Sequence, residues 1–212
     1  RSGVLSIMLN ITNRRCLHNA LERAGEMTVV DWEQMHVHAH GMDLLLADPS
    51  RPAPRASWVD YFQLLKFAEK RYDSIVVDLP EIINDATAEV ARTAGKVFVV
   101  CTPEVLSLKL ASLRCQEIEA YGVPQERVHV IMTRWQRDGI SPEDAEKSLG
   151  HPVYATLSND YNQVRVAILE SRLASPASAL GKDCRALARR ISGEPKAAAQ
   201  KSHFGLLRKL VR

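Results

Sequence analysis

At 212 residues the chain is long enough for one sizeable hydrophobic core plus appendages. Its hydrophobic share of 46% and charged share of 25% are those of an ordinary water-soluble globular protein, and no apolar run approaches the length that crosses a bilayer. The four cysteines, Cys16, Cys101, Cys115 and Cys184, are scattered without a C-x-x-C pair, which excludes a disulfide framework and fits a reducing cytoplasm.

Charge is uneven. Residues 182–212 hold nine Lys/Arg against Asp183 and Glu194, a net +7; the whole chain carries +3, so residues 1–181 are net −4. A basic tail on a mildly acidic body points to an anionic partner, lipid or nucleic acid. The opening Arg1-Ser2-Gly3-Val4 has no initiating Met and no signal-peptide pattern, and reads as a cut made inside a longer protein.

In chain order, the pattern alternates helices and strands. Arg14 to Ala24 spaces Leu17, Ala20, Leu21 and Ala24 as a helix does. His36, His38 and His40 recur at period two, so an extended segment would present all three on one side as a metal site; with no nearby Cys, an ordinary surface loop is the simpler expectation. Met42 to Ala47 is a short apolar strand, closed by the proline-rich loop that follows. Ser57 to Arg71 is a helix with Ser57 as N-cap and Val59, Phe62, Leu65 and Phe67 as its apolar face.

The stretch from Ser74 to Asp78 holds Ile75-Val76-Val77 without polar alternation, the pattern of a central parallel strand covered on both faces. In open α/β sheets the ligand crevice lies past the carboxyl ends of such strands. Asp78 would stand there, either holding Mg²⁺ or a metal-bound water, or merely capping the next loop or helix. Residues 85–94 read as a helix, 96–102 as a second buried strand, and 106–121 as a longer helix stopped by Gly122-Val123-Pro124. A third strand spans 127–133. Ser141 to Gly150 has a helix-start pattern, with Ser141 as N-cap and Pro142 in the first turn. Residues 153–158 form a fourth strand; Tyr161 to Glu170 and Ala177 to Ile191 are helices. Strands separated by helices of this length make βαβ units and a parallel sheet.

Other conspicuous side chains have ordinary expectations. Cys101 reads as a small core residue rather than a nucleophile. Trp32, Trp58 and Trp135 read as packing or interface residues. Glu143, Asp144 and Glu146 read as solvated first turns of a helix.

The segments "YDSIVVDLP", "AGKVFVVCTPEVLSLKLA", "RVHVIMTRW" and "ISPEDAEKSLGHPVYATLSNDYNQVRVAI", taken in order, resemble the MinD/ParA family of deviant P-loop ATPases. "GISPEDAEKSLG" with "NDY" downstream is most similar to the CpaE/TadZ branch, associated with assembly and polar placement of type IVb pili. The resemblance implies a three-layer α/β/α P-loop NTPase-like fold with a mostly parallel sheet. It implies a positioning ATPase that binds ATP and Mg²⁺, forms a homodimer and works with pilus or secretion machinery. DNA is not an expected partner. By the same resemblance Asp78 matches the Walker B acid, holding Mg²⁺ through water, and Leu79-Pro80 begin the loop that senses the γ-phosphate. Thr102-Pro103-Glu104 with Ser107 match a turn beside the dimer face. Thr133-Arg134 stand where the family has Asn-Arg at the adenine edge, and Leu157-Ser158-Asn159-Asp160 replace an Ile-Pro-x-Asp loop near the base. Thr133 offers one hydroxyl where Asn would offer a bidentate amide.

The chain contains neither G-x-x-x-x-G-K-[ST] nor the family's K-G-G-x-G-K-[ST] variant. The first strand, the phosphate loop, its helix and the second strand are therefore expected upstream of Arg1, the loss of the first strand leaving an unpaired strand edge. Residues 1–212 alone are expected to be inactive, with no nucleotide bound tightly. The organisation expected is an ATPase domain over 1–192, a linker over 193–202 and an amphipathic basic tail over 203–212. In that tail Phe204, Leu207, Leu210 and Val211 form one face and Arg208, Lys209 and Arg212 the other flank. Such a helix suits an anionic membrane surface or a partner, giving a cytoplasmic protein peripheral to the inner membrane face. A nucleotide-independent scaffold of the same fold is the alternative function.

Overall fold

The structure, a computed structural model, describes residues 4–11, 16–48, 50, 56–81 and 83–193. The linker and tail from 194 to 212, with Phe204, Leu207, Arg208, Lys209, Leu210 and Val211, lie outside the described residues.

The order of elements is α1 (Val4–Met8), α2 (Leu17–Glu22), α3 (Val29–Met35), β1 (Val37–Ala39), β2 (Met42–Leu44), α4 (Trp58–Glu69), α5 (Asp85–Thr93), β3 (Val97–Cys101), α6 (Val105–Ala120), β4 (Val128–Trp135), α7 (Pro142–Leu149), β5 (Val153–Ser158), α8 (Tyr161–Leu169) and α9 (Ala179–Ser192). β3, β4 and β5 form a parallel sheet in that order.

Side chains alternate across this sheet, as the period of two requires. Val99 and Cys101 of β3 and Val128, Val130 and Met132 of β4 point into the larger core. There they meet Ala91 of α5, Leu108, Ala111 and Cys115 of α6, and Ala145 and Leu149 of α7. On the opposite face Phe98, His129 and Tyr154 stack against one another, and α9 covers them with the Arg190 guanidinium 3.9 Å over the Tyr154 ring. A second core joins Ala20, Leu21, Trp32, Met35, Leu64 and Ala68 from α2, α3 and α4.

Several starts and stops follow from single residues. The Ser57 and Ser141 hydroxyls accept the amides of Asp60 and Asp144, capping α4 and α7. Gly150 ends α7 at φ +69, a conformation glycine adopts without strain. The α4 face differs from its sequence pattern: Leu64 and Ala68 are buried, with Tyr61 and Phe67 packed beside them, while Val59 is exposed. The partners on α2 and α3 select that face, and sequence spacing alone does not.

Two strand expectations are corrected. Met42–Leu44 pairs antiparallel with Val37–Ala39 in a separate hairpin, not with the parallel sheet. Its two-residue turn, His40-Gly41, has φ of +54 and +75, the left-handed pair that matches strand twist in tight hairpins. The run from Ser74 to Asp78 belongs to no strand among the described residues, and it is not covered on both faces: Val76 is 96% exposed, with Ile75 and Val77 also exposed. An apolar run needs a paired neighbour on each side to become a buried strand, and no described strand lies alongside this one.

Candidate functional site

A cleft of about 450 Å³ opens past the carboxyl ends of β3, β4 and β5. It is lined by Pro103 and Glu104 after β3, Arg134, Gln136 and Gly139 at and after β4, and Asn159 and Tyr161 after β5. This is where open α/β sheets hold ligands, because loops diverge there and helices begin.

Local backbone geometry builds each wall. After Cys101, the Thr102 amide donates to the Ser107 hydroxyl at 3.0 Å, turning the chain tightly into α6, and the Thr102 hydroxyl donates to Glu104. In β4 the register with β5 shifts between Met132 and Trp135, and Arg134 has φ +54. A left-handed Arg costs on the order of 1 kcal/mol, and such irregularities cluster where a strand re-aims a side chain. The segment after β4 is fixed by the Trp135 indole, which donates to the Ile140 carbonyl at 3.1 Å. The loop after β5 is held from two sides. The Asn159 amide donates to the Trp135 carbonyl at 3.0 Å, while the Ser158 amide and hydroxyl both donate to one oxygen of Asp183, at 2.8 and 2.5 Å.

Of the residues singled out in the sequence, Arg134 and Asn159 line the cleft, together with Pro103 and Glu104 of the turn expected beside the dimer face. Thr133 sits half-buried in β4 immediately before Arg134, and Ser158 is committed to Asp183. Asp160 immediately precedes α8 without capping it through its side chain. Asp78 and Pro80 are exposed and lie outside the cleft lining. Sequence reading missed Gln136, Gly139, Tyr161 and Asp183. The first three are within three residues of an expected strand or helix end, where crevice residues gather; Asp183, inside a helix 25 residues from its partner, carries no such signal.

The histidine cluster resolves differently from a metal site. His38 shares a hydrogen bond of 2.7 Å with Asp43 across the hairpin, and His36 bonds the Trp32 carbonyl. No group of three His, Cys, Asp or Glu among the described residues could hold a metal ion. The bond from His38, and a second donated by the Tyr72 hydroxyl, hold the Asp43 carboxyl below the usual carboxylate range. Cys101 is a core residue, its thiol pushed up to about 11 by burial. Trp32 is buried, Trp135 is half-buried and Trp58 is exposed. Glu146 is not simply solvated: its carboxylate accepts the Val153 amide at 2.8 Å, tying α7 to the start of β5.

No protein-family model matches the chain, and no curated protein matches it. Solved structures do. A ParA family ATPase from Chlorobium tepidum is similar with a TM-score of 0.75 and 21% identity, over 84% of this chain and 76% of that one. The MinC:MinD cell division complex of Aquifex aeolicus gives 0.73 and 19%, over 92% of this chain and 81% of that one. The septum site-determining protein MinD of Pyrococcus horikoshii, solved with Mg-ADP, gives 0.65 and 19%, over 88% and 77%. The fold is therefore that of the MinD/ParA P-loop ATPases. Among the described residues no helix is long and apolar enough to cross a membrane.

Proposed function

We propose that residues 1–212 carry the base-binding part of a nucleotide-switched positioning ATPase of the CpaE/TadZ kind, acting as a homodimer in pilus assembly or polar placement. The reading is carried by one observation: a polar cleft at the carboxyl ends of three parallel strands, with a strained Arg134 and with Asn159 on its walls, in a chain of this fold. Asn159 offers an amide donor and a carbonyl acceptor to a base edge, and Arg134 offers a cation to ribose or phosphate oxygens. The Mg-ADP of the Pyrococcus protein, and the MinC partner of the Aquifex protein, make a magnesium nucleotide and a protein partner the natural candidates for this chain.

The phosphate cradle has to come from outside residues 1–212, since these contain no glycine-rich loop with the required lysine. Asp78 would hold Mg²⁺ through water in the assembled site, with Pro80 in the loop that follows the γ-phosphate. The exposed approach to Asp78 is compatible with that role only when further chain closes over it.

Calorimetric titration of Mg-ATP tests the reading on two polypeptides: residues 1–212, and the full natural polypeptide that carries them. Negligible binding by the first and micromolar binding by the second are expected, with hydrolysis abolished by Asp78→Ala in the second. Micromolar binding by residues 1–212 alone overturns the division of the site. No binding by the full polypeptide overturns the nucleotide reading and leaves the scaffold.

A further inference from the structure

We propose that Asp183, on α9, is the positioning residue of the cleft: it never meets the ligand, but it fixes the wall that does. The inference rests on the nucleotide reading above.

The geometry is a clamp on one residue. One oxygen of Asp183 accepts both the amide and the hydroxyl of Ser158, the last residue of β5. Bonds to an ionised carboxylate are among the stronger ones a loop can be given. The next residue, Asn159, lines the cleft, and Tyr161 lines it from the first turn of α8. Asn159 is itself exposed and has one backbone tether, to Trp135. With Ser158 released, Asn159 would pivot about that tether, and an amide that must meet a base edge within a few tenths of an ångström would lose its aim.

α9 is suited to transmit such an effect because polar pins hold it to the sheet. None of its residues is buried. Asp183 anchors it at the carboxyl end of β5. Near the other end the Tyr154 hydroxyl donates to the Arg190 carbonyl at 3.2 Å, and the Arg190 guanidinium donates back to the Tyr154 carbonyl while lying over its ring. The helix therefore runs antiparallel to β5, riveted at both ends, and it leads at Gly193 towards the basic segment. Elements with little buried apolar surface open at low free energy, so a displacement of α9 reaches the cleft through a single carboxylate.

The test uses the full natural polypeptide, with affinities for ATP and GTP, thermal midpoint and amide exchange at Asn159 measured together. Asp183→Ala is expected to weaken ATP about tenfold, the value of a lost charge-assisted bond. It should also bring the ATP and GTP affinities together and speed exchange at Asn159. Asp183→Asn, which keeps an acceptor oxygen in place, should restore most of the ATP preference. Ser158→Ala keeps the amide donor and should show a smaller effect, with the double variant no worse than Asp183→Ala. A purely structural role would lower the thermal midpoint and leave the ATP-to-GTP ratio alone; that result, or additive effects of the two substitutions, overturns the positioning role. If Asp183→Ala does not fold, Asp183→Asn and Ser158→Ala carry the same comparison. An unaltered polypeptide that binds no nucleotide sinks the functional reading and this one with it, whereas binding indifferent to Asp183 sinks this one alone.

Discussion

Two runs in this molecule, both built on branched apolar side chains, are opposite in fate. Val128 to Met132 in β4 contains three residues with at most 1% exposure: Val128, Val130 and Met132. Ile75-Val76-Val77 is at least as apolar and entirely unalternated, yet Val76 is 96% exposed. β4 has β3 on one side and β5 on the other, with α6 and α7 against one face and α9 beyond the other. The 74–78 run has no strand beside it among the described residues, and β3 has β4 on only one of its edges. Val100 of β3 is 61% exposed. An uninterrupted branched run thus states a need for neighbours, and the neighbours decide whether the need is met.

Breaking the buried side should have the largest consequence. Met132→Ala empties a fully buried position between β3, β5 and α6 and should cost about 2–5 kcal/mol, read from the urea midpoint at unchanged slope. A cost under 1 kcal/mol would mean that this core collapses around the gap or is not packed as described.

An intermediate effect is expected from the sheet's other face. His129 lies between Phe98 and Tyr154, and its pKa is lowered, first by burial and then by the charges of Lys96 and Arg190. The unfolded chain therefore takes up this proton more readily than the folded one. The associated stability is present above the ordinary histidine range near 6.5 and is lost as pH falls through the lower, folded value. Thermal midpoints should decline on acidification from neutrality in the unaltered chain. The decline should be shallower in His129→Gln, and equal slopes in the two would show that the ring is solvated or that another group controls the loss.

The smallest effect belongs to the bare run. Val76→Ser should change the stability of residues 1–212 by no more than about 0.5 kcal/mol, since the side chain has almost nothing to lose. The same urea titration decides it, and a loss of 1 kcal/mol or more would mean that Val76 is covered in solution and that the contrast with β4 is false.

Much of the fold was legible in residue order. The β5 limits, the Ser141 and Gly150 ends of α7, the Ser57 cap of α4 and the Cys101 core position were readable because each depends on near neighbours or on a short period. The site was legible in part. Arg134 and Asn159 were reached through the family resemblance, and both line the cleft because they sit at the ends of strands, where crevices open. Asp183 escaped because nothing near it in sequence marks it; its meaning comes from Ser158, 25 residues away.

By itself, then, the sequence determined what local sterics and side-chain periodicity control: the positions of α2 and of α4 to α9 and where they stop, although it marked neither α1 nor α3. Tertiary structure decided what depends on partners. It selected Leu64 and Ala68 rather than Val59 as the inner face of α4, and it sent Met42–Leu44 into a hairpin instead of the main sheet. It put a left-handed Arg134 and an Asp183-held Ser158 on the walls of one cleft, and it left Val76 bare. Caps and periods are satisfied within a few residues, whereas burial and backbone pairing are properties of pairs of segments, and only the assembled chain brings those segments together.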